Sequence, residues 1–131
     1  LIAAVQAGAS TIEFDSPGGL LDEAMLGFAA MRTANVNTIV TGECASACTV
    51  LFLGGKERSI LPTAKLGVHQ WSSIEQPASE TEAQELSGAL VALFKKAGVS
   101  EEFFIAGTIA PTHSMHWLTM RELRNWGVVT T

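Results

Sequence analysis

Apolar and polar residues alternate along Thr11-Ile12-Glu13-Phe14-Asp15. A period of two is that of a strand with one buried face. Ser16-Pro17-Gly18-Gly19 breaks the pattern, because proline removes a donor and glycine admits conformations other residues avoid. From Leu20 to Ala34 the period lengthens, with Leu21, Met25, Phe28, Ala29 and Met31 as the apolar positions. Asp22 and Glu23 sit in the first turn, where the helix dipole favours acids. Val36 to Val40 is an apolar, strand-like run. Strand, glycine turn, helix, strand is the order of a parallel crossover. The layout then repeats: a helix is expected over Ser46 to Leu53, capped by Gly54-Gly55. Two short strands, Arg58 to Leu61 and Lys65 to His69, are expected about the Pro62-Thr63 turn.

Trp71 to Ala78 is polar and reads as a loop. Ser79-Glu80-Thr81-Glu82 has capping-box spacing and opens a helix to about Ala97, striped by Leu86, Leu90, Leu93 and Phe94. Gly98 ends it, Ser100 starts a helix to about Ile109, and Pro111 blocks continuation. Thr119-Met120-Arg121-Glu122 is a second capping box, opening a helix that stops before Gly127, and Val128-Val129 reads as a last short strand. There is no internal repeat and no low-complexity segment. The alternation predicts a single α/β domain over residues 1–131. The opening Leu1-Ile2-Ala3-Ala4-Val5 resembles the tail of a helix, so the domain is expected to lack its N-terminal part.

Composition narrows the function. With 47% hydrophobic residues, the 131-residue chain can bury a real core. A net charge of −5 and no basic cluster argue against nucleic acid. No run is long and apolar enough for a transmembrane segment. Cys44 and Cys48 form no disulfide framework. If both lie on one helical turn, bridging them would distort it, so small buried thiols are expected. They leave the compartment open.

The stretch richest in chemistry is Gly42-Glu43-Cys44-Ala45-Ser46-Ala47-Cys48, a small-residue turn between an apolar strand and an apolar helix. Such a turn presents a hydroxyl where free backbone N–H groups favour developing negative charge. Ser46 is the candidate nucleophile. A serine needs a base within hydrogen-bond reach, and His69 is the candidate. The plainer alternative is that Ser46 caps a helix and His69 merely ends a strand.

Three segments resemble the proteolytic subunit of the Clp protease, in that family's order: Asp15-Ser16-Pro17-Gly18-Gly19, Gly42 to Ala47, and Leu61-Pro62-Thr63-Ala64-Lys65-Leu66-Gly67-Val68-His69-Gln70. Leu118 to Val129 resembles the family's closing helix and strand. Cys-x-Ser-Ala-Cys is similar to segments of its periplasmic or membrane-associated bacterial branch. The resemblance implies the Clp/crotonase fold, a spiral of ββα units. It implies a serine peptidase acting on peptide or protein substrates without a cofactor, as a homo-oligomer, periplasmic or membrane-associated. By this resemblance Ser46 is the nucleophile, His69 the base, and Gly18 or Gly19 with the Ala47 amide the oxyanion hole. The family's acid falls near Pro111, yet Ala110 to His116 holds no Asp or Glu. Thr112 or Ser114 is then the candidate orienter of His69. A missing acid weakens such a triad by orders of magnitude.

That departure keeps a second class in view, a weakened or inactive Clp-like scaffold or binding domain. A crotonase-type acyl-CoA enzyme would share the fold but has no need of Ser46 and His69 together. Zinc is the other rival: His113, His116, Cys44 and Cys48 are ligand types. Their spacing matches no common zinc signature, so no metal site is expected. Trp71, Trp117 and Trp126 are expected in the core or an interface, and His113 and His116 in a loop.

Overall fold

The computed structural model describes residues 1–70, 80–111 and 114–131. The Trp71 to Ala78 loop, the start of the first capping box, Thr112 and His113 lie outside the described residues.

A short helix, α1 (Ile2–Gln6), leads into strand β1 (Thr11–Ser16). The alternation expected of β1 is observed, with Ile12 and Phe14 buried and Thr11, Glu13 and Asp15 exposed. Helix α2 (Leu21–Ala34) buries Leu21, Ala24, Phe28 and Met31, whereas of the other expected apolar positions Met25 is half-buried and Ala29 exposed, and it ends at Asn35 in the left-handed conformation. Asparagine tolerates that conformation better than most residues. The crossover returns to β2 (Asn37–Ala45), which pairs with β1 in parallel from Thr11↔Asn37 to Phe14↔Val40.

Strand β2 runs well past its expected end at Val40. Thr41-Gly42-Glu43 is polar, but both of its edges remain partnered. Ser16 pairs with Cys44 after a register shift in β1, and the Asp15 carboxylate accepts from the Glu43 amide at 3.0 Å. The far edge of β2 is shared: β3 (Arg58–Ile60) takes Thr38 to Val40, and β4 (Lys65–Val68) takes Glu43 to Ala45. Both pairings are parallel, so the Pro62-Thr63 link does not fold β3 back on β4 but carries the chain forward along one neighbour.

Helix α3 (Ala47–Phe52) ends on Leu53 in a right-handed conformation. Gly54 and Gly55 are therefore not the left-handed cap expected from sequence. Close approach explains Gly55, because a Cβ there would run into the Thr38 side chain. Thr38 is buried and donates its hydroxyl to the Phe52 carbonyl at 2.7 Å.

Helices α4 (Glu80–Lys96) and α5 (Glu101–Ile109) follow their patterns. Leu90, Leu93 and Phe94 are buried, and the Phe94 and Phe103 rings meet edge-on at 5.2 Å. Helix α6 (Met120–Asn125) carries the full Thr119/Glu122 capping box. Two elements differ from expectation. His116–Trp117 forms β5, antiparallel to β4 through Gly67↔Trp117 and Val68↔His116, so His116 is not a loop residue. Val128-Val129 is buried but is not a strand. One backbone bond and one side-chain bond tie the segment to β3: the Thr130 amide donates to the Arg58 carbonyl at 2.8 Å, and Thr130 Oγ1 accepts from the Arg58 amide at 2.7 Å.

Arg58 explains how the far side of the domain is closed. It is 3% exposed, and its guanidinium donates to the carbonyls of Leu53, Gly55, Ala97, Gly127 and Val128. These oxygens follow α3, α4 and α6, where helix C-termini leave carbonyls unpaired and partly negative. Among the described residues no carboxylate pairs with it. Burial, and then the charge of Arg32, lowers its pKa to about 10.

Candidate active site

Strands β2 and β4 finish together. Ala45 pairs with Gly67, and the next amide, of Ser46, donates to the Gly67 carbonyl at 3.1 Å. His69 follows β4 directly. Parallel strands that end side by side open a crevice beyond their carboxyl ends. Ser46 and His69 leave the sheet at this one edge, both half-buried.

The backbone at Ser46 is unusual, with φ 56 and ψ −124. A non-glycine residue held there stores roughly 1–3 kcal/mol of strain. A sharp strand-to-helix turn of this kind projects a hydroxyl away from the main chain. The surroundings over-determine it. Besides the bond to Gly67, the Ser46 carbonyl accepts from the Thr49 amide at 3.0 Å and the Thr49 hydroxyl at 2.7 Å. Ser46 stands at the N-cap position of α3, yet its hydroxyl makes no capping bond. Among the described residues Ser46 Oγ has no hydrogen-bond partner, so simple capping does not account for it.

The Ser16 to Gly19 turn packs on this serine. Gly18 has φ 131, and a Cβ on it would lie 3.2 Å from both the Ala45 carbonyl oxygen and Ser46 Cβ. Glycine is needed here for conformation and space together. The Gly18 amide donates to Ser16 Oγ at 3.2 Å. Gly19 is exposed, and its Cβ position faces open space. Ala47 opens α3, so its amide has no acceptor within the helix. A cavity of about 580 Å³ adjoins these groups, lined by Gly18, Gly19, Ala47 and Cys48 together with Glu23, Ala24 and Leu51.

His69 Nδ1 lies 2.7 Å from the Gln70 carbonyl oxygen. That oxygen accepts when the proton is on Nδ1, which leaves Nε2 as the basic nitrogen. Gln70 is tied to the end of α5: its amide donates to the Ala110 carbonyl at 2.6 Å and its Nε2 to the Thr108 carbonyl at 3.2 Å. The Ala110-Pro111 segment, where the family's acid was expected to align, thus adjoins His69-Gln70. Thr112 lies outside the described residues. Ser114 is exposed, its amide donates to the Pro111 carbonyl at 2.9 Å, and no hydrogen bond joins it to His69. Sequence reasoning passed over Gln70 because a backbone carbonyl carries no residue signature.

The cysteines correct the sequence reading. Cys44 and Cys48 are joined in a disulfide, with Cα atoms 5.2 Å apart. They do not share a helical turn: Cys44 is in β2 and Cys48 in α3, and the reversal at Ser46 brings them within disulfide range. The bond also removes both thiolates from any zinc site. Of the other metal candidates, His116 Nε2 lies 3.1 Å from Glu122 Oε2, and His113 is outside the described residues. Trp117 is 37% exposed, with Lys65 Nζ 4.1 Å from its ring centroid, while Trp126 packs on the core.

Comparison with known proteins agrees with this architecture. The model of the Clp protease family matches residues 6–129. ClpP1 from Listeria monocytogenes superposes with a TM-score of 0.71 at 20% identity, over 98% of this chain and 76% of that one. A point mutant of the same Listeria monocytogenes protein gives a TM-score of 0.64 at 21% identity, over 98% and 77%. No curated protein sequence matches significantly.

Proposed function

Because this chain belongs to the Clp protease family, we propose that it is a serine endopeptidase using Ser46 as nucleophile and His69 as general base. The observation that carries the reading is the turn at Ser46. It is held at φ 56 with no capping bond, on the strand end whose parallel partner leads into His69.

In this reading His69 Nε2 takes the Ser46 proton as Oγ attacks a peptide carbonyl, then returns it to the leaving amine. The Gln70 carbonyl holds Nδ1–H in place of a carboxylate. The oxyanion is received by backbone N–H groups of the glycine turn and of Ala47. Between the two glycines, Gly19 is the better donor, since the Gly18 amide already serves Ser16 Oγ. Losing one such donor typically costs about 3–4 kcal/mol in the transition state. No cofactor enters.

The carbonyl at Nδ1 also favours a second reading. A neutral oxygen stabilises an imidazolium less than a carboxylate does, so a slow enzyme or a binding scaffold would look the same. A fluorophosphonate probe separates them. The peptidase reading expects covalent labelling of wild type that disappears in Ser46→Ala and drops sharply in His69→Ala. Folded wild-type protein that stays unlabelled establishes the scaffold.

Assembly and compartment belong to the same proposal. Exposed Val91, Ile105 and Ile109 on α4 and α5 support a homo-oligomer. The disulfide supports an oxidising compartment such as the periplasm. Among the described residues no helix is long and apolar enough to cross a membrane.

A further inference from the structure

The disulfide brackets Ser46. Two residues before it, Cys44 is fully buried and fixed in β2 between Ser16 and Leu66. Two residues after it, Cys48 is 2% exposed and forms part of the wall of the cavity that adjoins Gly18, Gly19 and Ala47. The crosslink therefore joins the rigid strand entering the turn to the first turn of the helix leaving it. It spans the one non-glycine residue besides Asn35 whose φ is positive among the described residues.

We propose that the Cys44–Cys48 disulfide is a positioning crosslink for acylation at Ser46, and that opening it slows the reaction while the domain stays folded. The inference rests on the peptidase reading above and deepens it.

A ring closed over so few residues restricts the unfolded chain less than a long one, so its consequence is local rather than global. Without the bond, the backbone at Ser46 keeps its hydrogen bonds to Gly67 and Thr49. It loses the covalent restraint on the angle between β2 and α3. That angle sets where Oγ points relative to His69 and where the Ala47 amide points relative to the developing oxyanion. Geometry of this kind is sensitive: misplacement by about 1 Å costs a rate roughly a hundredfold. Most of the cavity wall comes from the glycine turn and α2, which the crosslink does not touch, so the loss falls mainly on kcat rather than on KM.

The test uses the oxidised protein, the protein treated with a water-soluble phosphine, and Cys44→Ala/Cys48→Ala. The phosphine donates two electrons to the S–S bond and takes up the oxygen of one water, whose two protons complete the thiols. The expected result is a fall of about tenfold or more in kcat and in the rate of fluorophosphonate labelling on reduction. Rate should return on reoxidation with oxidised glutathione. The double variant should be slow and indifferent to the phosphine. Equal labelling of the oxidised and reduced forms, both folded by circular dichroism, overturns the proposal. If the double variant fails to fold, the reduction and reoxidation of wild type decide alone. An oxidised wild type that never labels sinks the peptidase reading instead. Amide exchange then judges the crosslink: exchange at Ser46 to Thr49 must quicken on reduction while Thr38 to Val40 stay protected, and unchanged exchange overturns it.

Discussion

The Ser46 amide donates to the Gly67 carbonyl at 3.1 Å, one step beyond the last paired residues of β2 and β4. This bond ties the turn that holds the serine to the strand that delivers the histidine. It makes their neighbourhood a property of the sheet, which is stiffer than any loop.

Gly18 should be intolerant of a side chain. Gly18→Ala must adopt φ 131 and place a methyl 3.2 Å from the Ala45 carbonyl and Ser46 Cβ. The expected stability loss is about 1–3 kcal/mol. Labelling should slow by more than that loss explains, because the methyl presses on Ser46. Urea midpoints and labelling rates, measured on the same preparation, test both.

Gln70→Ala should act on rate rather than stability. It removes the Nε2 bond to the Thr108 carbonyl, an exposed contact that contributes about 1 kcal/mol or less. The carbonyl that meets His69 Nδ1 then loses one of its two ties to α5. A lower kcat with an unchanged urea midpoint is expected; an unaltered kcat removes Gln70 from the account.

Arg58 should be the most sensitive polar residue for folding. Truncation to Ala leaves several buried carbonyls without their donor, each costing roughly 1–3 kcal/mol. Arg58→Lys should recover only part, since a single ammonium cannot reproduce the fork that serves oxygens behind α3, α4 and α6. Chemical denaturation of both variants checks the order, wild type above Lys above Ala.

The cap of α6 should carry a pH signature. Thr119→Ala should cost about 1 kcal/mol at neutral pH. Desolvation raises the Glu122 pKa, but the Thr119 amide, the His116 hydrogen bond and charge, and the Thr119 hydroxyl together outweigh it. The net folded-state pKa lies below the ordinary glutamate value. A depressed carboxyl contributes stability that is present above its unfolded pKa and is lost as pH falls through the folded one. Stability differences between wild type and Glu122→Gln should therefore be level near neutrality and shrink below the ordinary glutamate range. A difference that stays constant into acid sinks this assignment.

Local patterns were legible in the sequence wherever one element decides its own form. The alternation of β1, the Leu21, Phe28 and Met31 positions of α2, the N-caps at Ser100 and Thr119, and the glycine endings at Gly98 and Gly127 all involve neighbours within one turn or one pleat. The order of motifs was enough to indicate the family and to single out Ser46, His69 and the glycine turn. Pairing between distant segments was not legible. The continuation of β2 past Val40, the sharing of its edge by β3 and β4, and the two-residue β5 depend on partners far away in the chain. The cysteines show the limit most plainly. A spacing of four suggests one helical face, and only the reversal of the backbone at Ser46 turns it into a bond between a strand and a helix. The guanidinium of Arg58 found its place for the same reason, since the carbonyls it binds belong to three helix ends that only the folded chain assembles. Sequence determines what each segment prefers through short-range sterics and burial; which segments meet is decided by the closing of the whole core.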